Sequence, residues 1–375
     1  MRWLAAAAIV TALGGLVQAE SPITGESRGP ATFPQDAAFD LQAALNQWAV
    51  SPQHRGVSAA VILANGNEWV STAGIEETGK SLEAEHLIWI ASITKTMTGS
   101  VIMGLAEEGI LGLDDPISRW LDEMKNIDPK ITLRQLLNHT NGLANYTAHP
   151  RLGAIIEADP AHKFAAMELI SYVGPKSFQR GKRTQYTNTS FVLLGMVAQA
   201  ATDQSITELY HERLWGPLGL MEIFLPGLEE PVGPVAKAWT GPPSNQQELN
   251  PLDMMSLLTI GNSGFGIFSN ARTVARWGRA LFTGQVFGDE MRAEMLDFVP
   301  AAGNIRGESG AGLGIRKYSY LGREQWGHSG GSPLGSSLLL YDPDTGVTVA
   351  VIMNQGGGAQ HFVLAPRLLE IATRD

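Results

Sequence analysis

The chain has 375 residues, a hydrophobic content of 44% that suits a globular protein, and a formal charge of −10. The negative charge disfavours nucleic acid as a partner, because the basic pairs Lys182 with Arg183 and Arg316 with Lys317 do not form a cluster. The absence of cysteine excludes disulfides and thiolate metal ligands, so the fold must depend on its hydrophobic core.

Residues 1–19 are predicted to be a secretory signal peptide. Arg2 precedes an apolar run over residues 4–17, and Val17-Gln18-Ala19 provides a small-residue cleavage site after Ala19. The run is shorter than the roughly 20 residues of a membrane-spanning helix, so no membrane span is expected. The sequence therefore predicts a secreted or periplasmic protein with an exposed lead-in over residues 20–35.

A helix and a hairpin are predicted next. Asp36 can cap a helix with a mostly one-sided apolar stripe. The stripe consists of Phe39, Leu41, Leu45 and Trp48. The hairpin has strands over residues 57–63 and 68–73, joined by an Asn65-Gly66 turn. A further helix is expected to begin at Ser92.

The middle and the end of the chain differ in their patterns. Residues 111–254 have helical periodicity interrupted by proline and glycine, which predicts a mainly helical inserted lobe. The end predicts strands and a closing helix. The strands cover residues 313–320, 336–341 and 347–353, and the helix covers residues 362–373.

These elements predict an α+β fold with an antiparallel sheet of about five strands flanked by helices. About 350 mature residues exceed what one hydrophobic core usually organises, so two lobes are expected. The sheet-and-helix lobe would be discontinuous, formed by residues 36–110 and 255–375, with the helical lobe over 111–254 inserted between them.

Ser92 and Lys95 form an S-x-x-K motif where a helix is expected to begin. Three residues are close to one helical turn, so both side chains would share a face. A desolvated, neutral amine at Lys95 could accept the proton of Ser92 as its oxygen attacks a carbonyl carbon. The motif by itself is weak, since Ser is also a common helix cap.

Two further motifs follow in order along the chain. Tyr186-Thr187-Asn188 is the one Y-x-N sequence, and His328-Ser329-Gly330 is the one [KH]-[ST]-G sequence. The ordered trio resembles the serine β-lactamase and penicillin-binding-protein superfamily, in which three such motifs converge on one cleft. Tyr and His at the variable positions resemble one branch of that superfamily. The branch contains class C β-lactamases, D-alanyl-D-alanine carboxypeptidases, D-aminopeptidases and β-lactamase-like esterases.

The resemblance extends over most of the chain and implies a β-lactamase/transpeptidase-like fold. The sequence also resembles that superfamily in three other stretches, at residues 109–116, 137–143 and 264–269. The resemblance also implies that Ser92 is the nucleophile and that Lys95 and Tyr186 are catalytic. Small and apolar neighbours predict that Lys95 is buried with a lowered pKa, and Lys95 beside Tyr186 would favour the Tyr186 phenolate. Either residue could take the first proton, or both could titrate as one unit.

The remaining site residues are predicted to bind the substrate or its oxyanion. Asn188 could contact a substrate carbonyl and Lys95, or it could simply cap the following helix. Gly330 and Gly331 would let a strand approach a ligand, and the Gly331 amide could join the Ser92 amide as an oxyanion hole. His328, beside Ser329, keeps a hydrogen-bond donor without a full charge at neutral pH. A substrate carboxylate would then need help from Arg316 or Arg323.

Three alternatives remain on the sequence. Ser329 lies in a G-x-S-x-G sequence typical of α/β-hydrolases, but the hairpin beyond it does not supply the required helix and His361 would be the sole later histidine. Metal-dependent hydrolysis lacks an H-E-x-x-H motif, since His211-Glu212 has no second histidine. A non-enzymatic penicillin-binding receptor is disfavoured by the intact Ser92, Lys95 and Tyr186.

The sequence therefore predicts an exported serine hydrolase that forms an acyl-enzyme on Ser92, without cofactor or metal. A β-lactam or a D-alanyl peptide is the expected substrate. A carboxylesterase or a D-aminopeptidase of the same fold is the alternative. The expected partner is a small molecule or short peptide, and a monomer is assumed.

Overall fold

The computed structural model describes residues 32–242, 245–301 and 305–374. The elements below belong to the unit formed by residues 33–375. The α-helices are α1 Gln35–Ala49, α2 Thr94–Glu107, α3 Leu133–Leu137, α4 Pro150–Ala158, α5 Ala166–Ser171, α6 Thr189–Thr202, α7 Ile206–Tyr210, α8 Met255–Thr259, α9 Asn262–Phe265, α10 Ala271–Phe282, α11 Asp289–Met295 and α12 His361–Ala372. The strands are β1 Gly56–Ile62, β2 Glu68–Glu77, β3 Lys80–Ser81, β4 Ile88–Trp89, β5 Ile223–Phe224, β6 Ala238–Thr240, β7 Gln247–Leu249, β8 Phe268–Ser269, β9 Val299–Pro300, β10 Glu308–Ala311, β11 Arg316–Tyr320, β12 Arg323–Ser332, β13 Gly335–Asp342 and β14 Val347–Met353.

The main sheet is antiparallel throughout, which confirms the predicted α+β class. Within the described residues it has nine strands in the order β3-β2-β1-β14-β13-β12-β11-β10-β9. The prediction of about five strands was too low. The strands it did not count are β3 and β9, of two residues each, and the glycine-containing β10 and β12. Short or glycine-rich segments lack the β-branched alternation that identifies a strand in a sequence.

The central strands bury both faces of the sheet. In β1, Val57 and Val61 pack into the cluster that includes α1 and α12, whereas Ala60 and Ile62 pack into the cluster that includes α2 and α10. Because both faces are covered, the strand is a continuous apolar run rather than an alternating one. The sheet is therefore the middle layer between two layers of helices.

Helices α1 and α12 pack together on one face of the sheet, as their apolar residues predicted. Leu41 and Leu45 are fully buried, but Phe39 is 75% exposed. At 100° per residue, Phe39 lies far from the face that contains Leu41 and Leu45, so it does not belong to the stripe. Asp36 lies in the first turn rather than at the cap, because the helix begins after Pro34.

Helix α2 lies inside the molecule and contacts α6 and α9. The helix begins at Thr94, and its predicted start at Ser92 therefore differs by two residues. Residues 111–254 contain helices α3 to α7 and the short strands β5 to β7. The division of the chain into a sheet-and-helix lobe and a helical lobe stays a prediction.

The predicted signal peptide over residues 1–19 lies outside the described residues, as does most of the lead-in. In the part of the chain that the structure describes, no helix combines the length and hydropathy needed to cross a bilayer.

Candidate active site

Ser92 lies in a strained turn at the entrance to α2. It is the middle residue of the 3-10 turn Ala91–Ile93, and Ala91 has a φ of 47°. This left-handed conformation is unfavourable for a residue with a Cβ, so the surrounding contacts must hold it. Thr94 Oγ1 donates to the Ala91 carbonyl at 2.7 Å, and Ser337 Oγ donates to the Ile90 carbonyl at 2.7 Å. The hydroxyl of Ser92 is thus presented by a rigid turn.

Strand β12 packs directly against this turn at Gly330. A Cβ on Gly330 would lie 2.3 Å from the Ile90 carbonyl oxygen and 2.3 Å from Ser337 Oγ, so no other residue fits without displacement. Gly331 has open space around the corresponding position and is exposed. The predicted close approach therefore applies to Gly330, and Gly331 faces the accessible side.

Lys95 is completely buried and points its amine at Ser92. Its Nζ lies 3.2 Å from Ser92 Oγ, 2.7 Å from Asn188 Oδ1 and 2.7 Å from the Gly264 carbonyl oxygen. Two of these partners can only accept hydrogen bonds, whereas the Ser92 hydroxyl can also donate. A neutral amine would therefore give its two protons to the carbonyl oxygens and direct its lone pair at Ser92.

The environment of Lys95 favours that neutral form. Burial lowers the pKa of Lys95 well below its usual value, and the positive charge of Arg316 lowers it further. Because the deprotonated amine is the form that can accept a proton, burial makes Lys95 suitable as a general base at neutral pH.

Tyr186 approaches the same hydroxyl from the other side. Its phenolic oxygen lies 2.8 Å from Ser92 Oγ, and its ring centre lies 4.9 Å from Lys95 Nζ. Burial raises the pKa of Tyr186 above its usual value, although Arg316 and the hydrogen bond with Ser92 act in the opposite direction. The cation that favours the phenolate is therefore Arg316 rather than Lys95, and the effect of burial is larger, so the phenol is a donor.

Asn188 does not act as a helix cap. It occupies the position before α6, but its side chain makes no capping hydrogen bond and its Oδ1 accepts from Lys95. Its backbone N–H donates to Asn145 Oδ1 at 3.2 Å. The Asn188 side chain therefore contacts Lys95 rather than the end of the helix.

His328 is 2% exposed, and its ring nitrogens are both engaged. Nδ1 lies 2.7 Å from the Ser329 carbonyl oxygen, so it must carry the proton, and Nε2 accepts from Arg316 Nε at 3.4 Å. Burial lowers the pKa of His328 well below its usual value, and Arg316 adds to the shift, which agrees with the predicted neutral ring. The predicted donor, however, is directed at the backbone.

Two residues around Tyr186 were not predicted. His139, with a φ of 62°, places its ring centre 4.6 Å from that of Tyr186. Glu308 forms a buried ion pair with Arg316, whose guanidinium carbon lies 4.5 Å from the Tyr186 ring centre. The stretch 137–143 contained His139 without indicating a role, and no sequence signal pointed to Glu308.

The rival sites have no supporting geometry. Ser329 is 7% exposed within β12, which continues to Ser332 and is followed by β13 rather than by a helix. His361 is buried in α12, on the face of the sheet that packs with α1. Among residues 32–242, 245–301 and 305–374, no group of acidic and histidine side chains is arranged to hold a metal ion.

Comparisons with known proteins agree with the sequence resemblance. A family model described as Beta-lactamase matches residues 33–373. Penicillin-binding protein 4* of Bacillus subtilis (strain 168) is 30% identical over 148 residues, 38% of this chain and 31% of that protein. Esterase EstB of Burkholderia gladioli is 30% identical over 220 residues, 53% of this chain and 55% of the esterase. The chain thus aligns with only about a third to a half of the length of these curated relatives.

A solved structure of a D-stereospecific amidohydrolase from Streptomyces sp. covers more of the chain. The identity is 28% and the TM-score is 0.77, over 89% of this chain and 98% of that chain.

Proposed function

The chain belongs to the beta-lactamase family, and on that premise we propose that it is a serine hydrolase that forms an acyl-enzyme on Ser92. The observation that carries the proposal is the position of Ser92 Oγ, 3.2 Å from the Lys95 amine and 2.8 Å from the Tyr186 phenol. A hydroxyl between a base and a proton donor is the arrangement of an activated nucleophile.

Acylation begins with Lys95 as the base. Tyr186 donates to Ser92 Oγ, and the Ser92 proton moves to the Lys95 lone pair as the oxygen attacks the substrate carbonyl carbon. Asn188 Oδ1 and the Gly264 carbonyl then stabilise the ammonium that forms. The oxyanion is bound by the Ser92 and Gly331 amides.

The acyl-enzyme forms when the leaving group departs with a proton from the Lys95–Tyr186 pair. The pair then serves again as the base that activates water, and hydrolysis of the ester returns the proton to Ser92. Lys95 and Tyr186 lie between the Ser92 hydroxyl and the leaving group. They suit this exchange of protons because they titrate as one coupled pair.

Two substrate classes are candidates. A β-lactam or a D-alanyl peptide follows from the motifs and from the similarity to a penicillin-binding protein. An ester or a D-amino-acid amide is supported by the similarity to an esterase and a D-stereospecific amidohydrolase. The engaged state of Arg316 and Arg323 favours the second class, because both are paired with acidic residues.

A panel of substrates separates these classes. Nitrocefin, a D-alanyl-D-alanine peptide, a D-amino-acid anilide and a short p-nitrophenyl ester would be compared by kcat/KM. We expect the ester or the anilide to have the highest kcat/KM. A higher kcat/KM for nitrocefin or the peptide would instead identify a β-lactam or a D-alanyl peptide as the preferred substrate.

Ser92→Ala should lower kcat on the best substrate by at least about 10⁴-fold, because the residue that forms the covalent bond is removed. Ser329→Ala is the matched control, since it removes the rival hydroxyl. It should still form an acyl-enzyme. Substantial turnover by Ser92→Ala, with a circular dichroism spectrum like the wild type, would reject the assignment.

Export is part of the same proposal. Arg2 followed by the apolar residues 4–17 supports a cleaved signal peptide. N-terminal sequencing of the mature protein should begin at Glu20, and a protein retained in the cytoplasm with its first residues intact would contradict export.

A further inference from the structure

Arg316 lies at the centre of a buried group of side chains beside the proposed nucleophile. It is 4% exposed and extends from the first residue of β11. Its Nη1 pairs with a Glu308 carboxylate oxygen, its Nε donates to His328, and its guanidinium lies over the Tyr186 ring. The side chains of Arg316 and Glu308 are 5% and 6% exposed, so solvent screens their interaction little.

We propose that Glu308 and Arg316 are a specificity-determining pair, in which Glu308 cancels the charge of Arg316 and the acyl site therefore favours substrates that have no free carboxylate. The proposal rests on the proposed acyl-enzyme function and names the substrate class of that site, esters and amides without a free carboxylate.

The charges around Ser92 support this choice. Burial lowers the pKa of Lys95 and of His328 well below their usual values, which favours the neutral form of both side chains. Arg316 is then the remaining cation of this group, and Glu308 gives the Arg316–Glu308 pair a net charge of zero. A substrate carboxylate beside Arg316 would gain little attraction, because Glu308 already cancels the charge of Arg316. The negative charge of Glu308 would also repel that carboxylate.

The hydrogen bonds lead to the same conclusion. The Nη1 and Nε donors of Arg316 are directed at Glu308 and His328, and the face of its guanidinium is against Tyr186. The Nδ1–H of His328 is directed at a backbone carbonyl. The Nη1 and Nε donors of Arg316 and the Nδ1 donor of His328 are therefore committed within the protein.

Arg323 does not replace Arg316 as a partner for a carboxylate. Its Nε lies 2.6 Å from Oδ2 of the fully buried Asp342, and its Nη2 donates to Thr373 at the end of α12. Arg323 thus ties the start of β12 to the closing helix, on a different part of the strand from the His328 motif.

The test uses two esters that differ in one group. p-Nitrophenyl butyrate ends in a methyl group where mono-p-nitrophenyl succinate has a carboxylate, and their kcat/KM values are normalised to their hydroxide hydrolysis rates. The wild type should prefer the butyrate at least about tenfold. Glu308→Gln leaves Arg316 uncompensated, and it should reduce that preference about tenfold or more through a lower KM for the succinate.

Glu324→Gln is the matched control for charge. Glu324 lies on β12 and pairs with Lys317 at 3.2 Å, and its side chain is 44% exposed. The substitution removes the same unit of charge from the same sheet without a contact to Ser92 or Arg316. Its preference should equal that of the wild type, because exposed charges are screened by solvent.

The outcomes separate the two proposals. Hydrolysis by Glu308→Gln with the wild-type preference unchanged overturns the role of Glu308 and leaves the acyl-enzyme function in place. Failure of the wild type to form an adduct on Ser92 overturns both, whereas labelling of Ser92 without hydrolysis of either ester overturns the proposed substrate class alone.

A measurement on the wild type covers the case in which Glu308→Gln does not fold. Fluorophosphonate labelling of Ser92 is timed with and without millimolar N-acetyl-D-alanine, a free carboxylate. An unchanged labelling rate supports the proposal, whereas saturable protection at millimolar concentration overturns it.

Discussion

The amine of Lys95 decides where the proton of Ser92 can go. Asn188 Oδ1 and the Gly264 carbonyl each accept a hydrogen bond from it at 2.7 Å, and both also favour the ammonium once it forms. Burial disfavours the charged form, so in the proposed mechanism the free enzyme holds the base and the intermediate holds its conjugate acid. On this proposal one side chain serves both stages of proton transfer.

This assignment predicts the pH dependence of acylation. Protonated Lys95 cannot accept the proton of Ser92, so kcat/KM should rise as the pH rises through the pKa of Lys95. Because burial lowers that pKa well below the usual lysine value, the enzyme should be active at neutral pH. His139 and His328 have lowered pKa values and stay neutral in the same range.

Tyr186→Phe tests which residue is the first base. The variant loses the donor to Ser92 Oγ, and its kcat/KM on a p-nitrophenyl ester should fall about 10²- to 10⁴-fold. The leaving group of this ester needs no proton, so the remaining activity reports on the attack step. The rise with pH should persist in the variant, and its disappearance would assign the first base to Tyr186.

At the residue level the sequence could single out the residues that the structure brings together around Ser92, because its motifs are local. Ser92 and Lys95 are one helical turn apart, and Tyr186 with Asn188 forms a motif of its own. Glu308 and His139 were missed because their positions depend on tertiary structure. Glu308 reaches Arg316 because β10 pairs with β11, with Glu308 opposite Tyr318. An isolated Glu has no pattern that predicts this pairing.

Among the contacts between secondary-structure elements, the contact of β12 with the Ser92 turn affects the site most. Gly330→Ala would place a methyl group against the Ile90 carbonyl and Ser337. Overpacking of this kind typically costs about 1–3 kcal/mol, and displacement of the turn should also lower kcat. Denaturant unfolding and ester hydrolysis measure the two effects.

Gly331→Ala is the control for stability. Nothing lies within 4 Å of its added Cβ, and the variant should unfold near the wild-type midpoint. Equal stability of both variants would show that the close approach at Gly330 is not needed to fold the strand against the turn.

Strand prediction succeeded where burial gives a strong pattern. The apolar runs of β1, β13 and β14 are visible in the sequence because these strands are buried on both faces. A strand was expected near Gly330 and Gly331, but β12 was given no bounds and was not counted, because glycine and polar residues replace the apolar residues of a core strand. The residues that β12 contributes to the site thus hide the sequence pattern by which a strand is recognised.

For the whole molecule, the nine-stranded sheet fixes the distance between motifs that are far apart in the sequence. Strands β12 and β13 hold the His328 motif against the turn that precedes α2, and α6 places Asn188 beside the same helix. The fold class follows from composition and pattern, whereas this convergence follows from sheet order, which the sequence pattern does not specify. The arrangement gives each of the three motifs a contact with the others.

The central claim is that Ser92 forms the covalent intermediate. Wild-type protein would be inactivated with a fluorophosphonate, digested with trypsin and analysed by tandem mass spectrometry, in which residues 81–95 form one peptide. We predict one adduct per molecule on Ser92, in proportion to the activity lost, and no adduct in Ser92→Ala. Inactivation with Ser92 unmodified, or with the adduct on Ser329, would contradict the account.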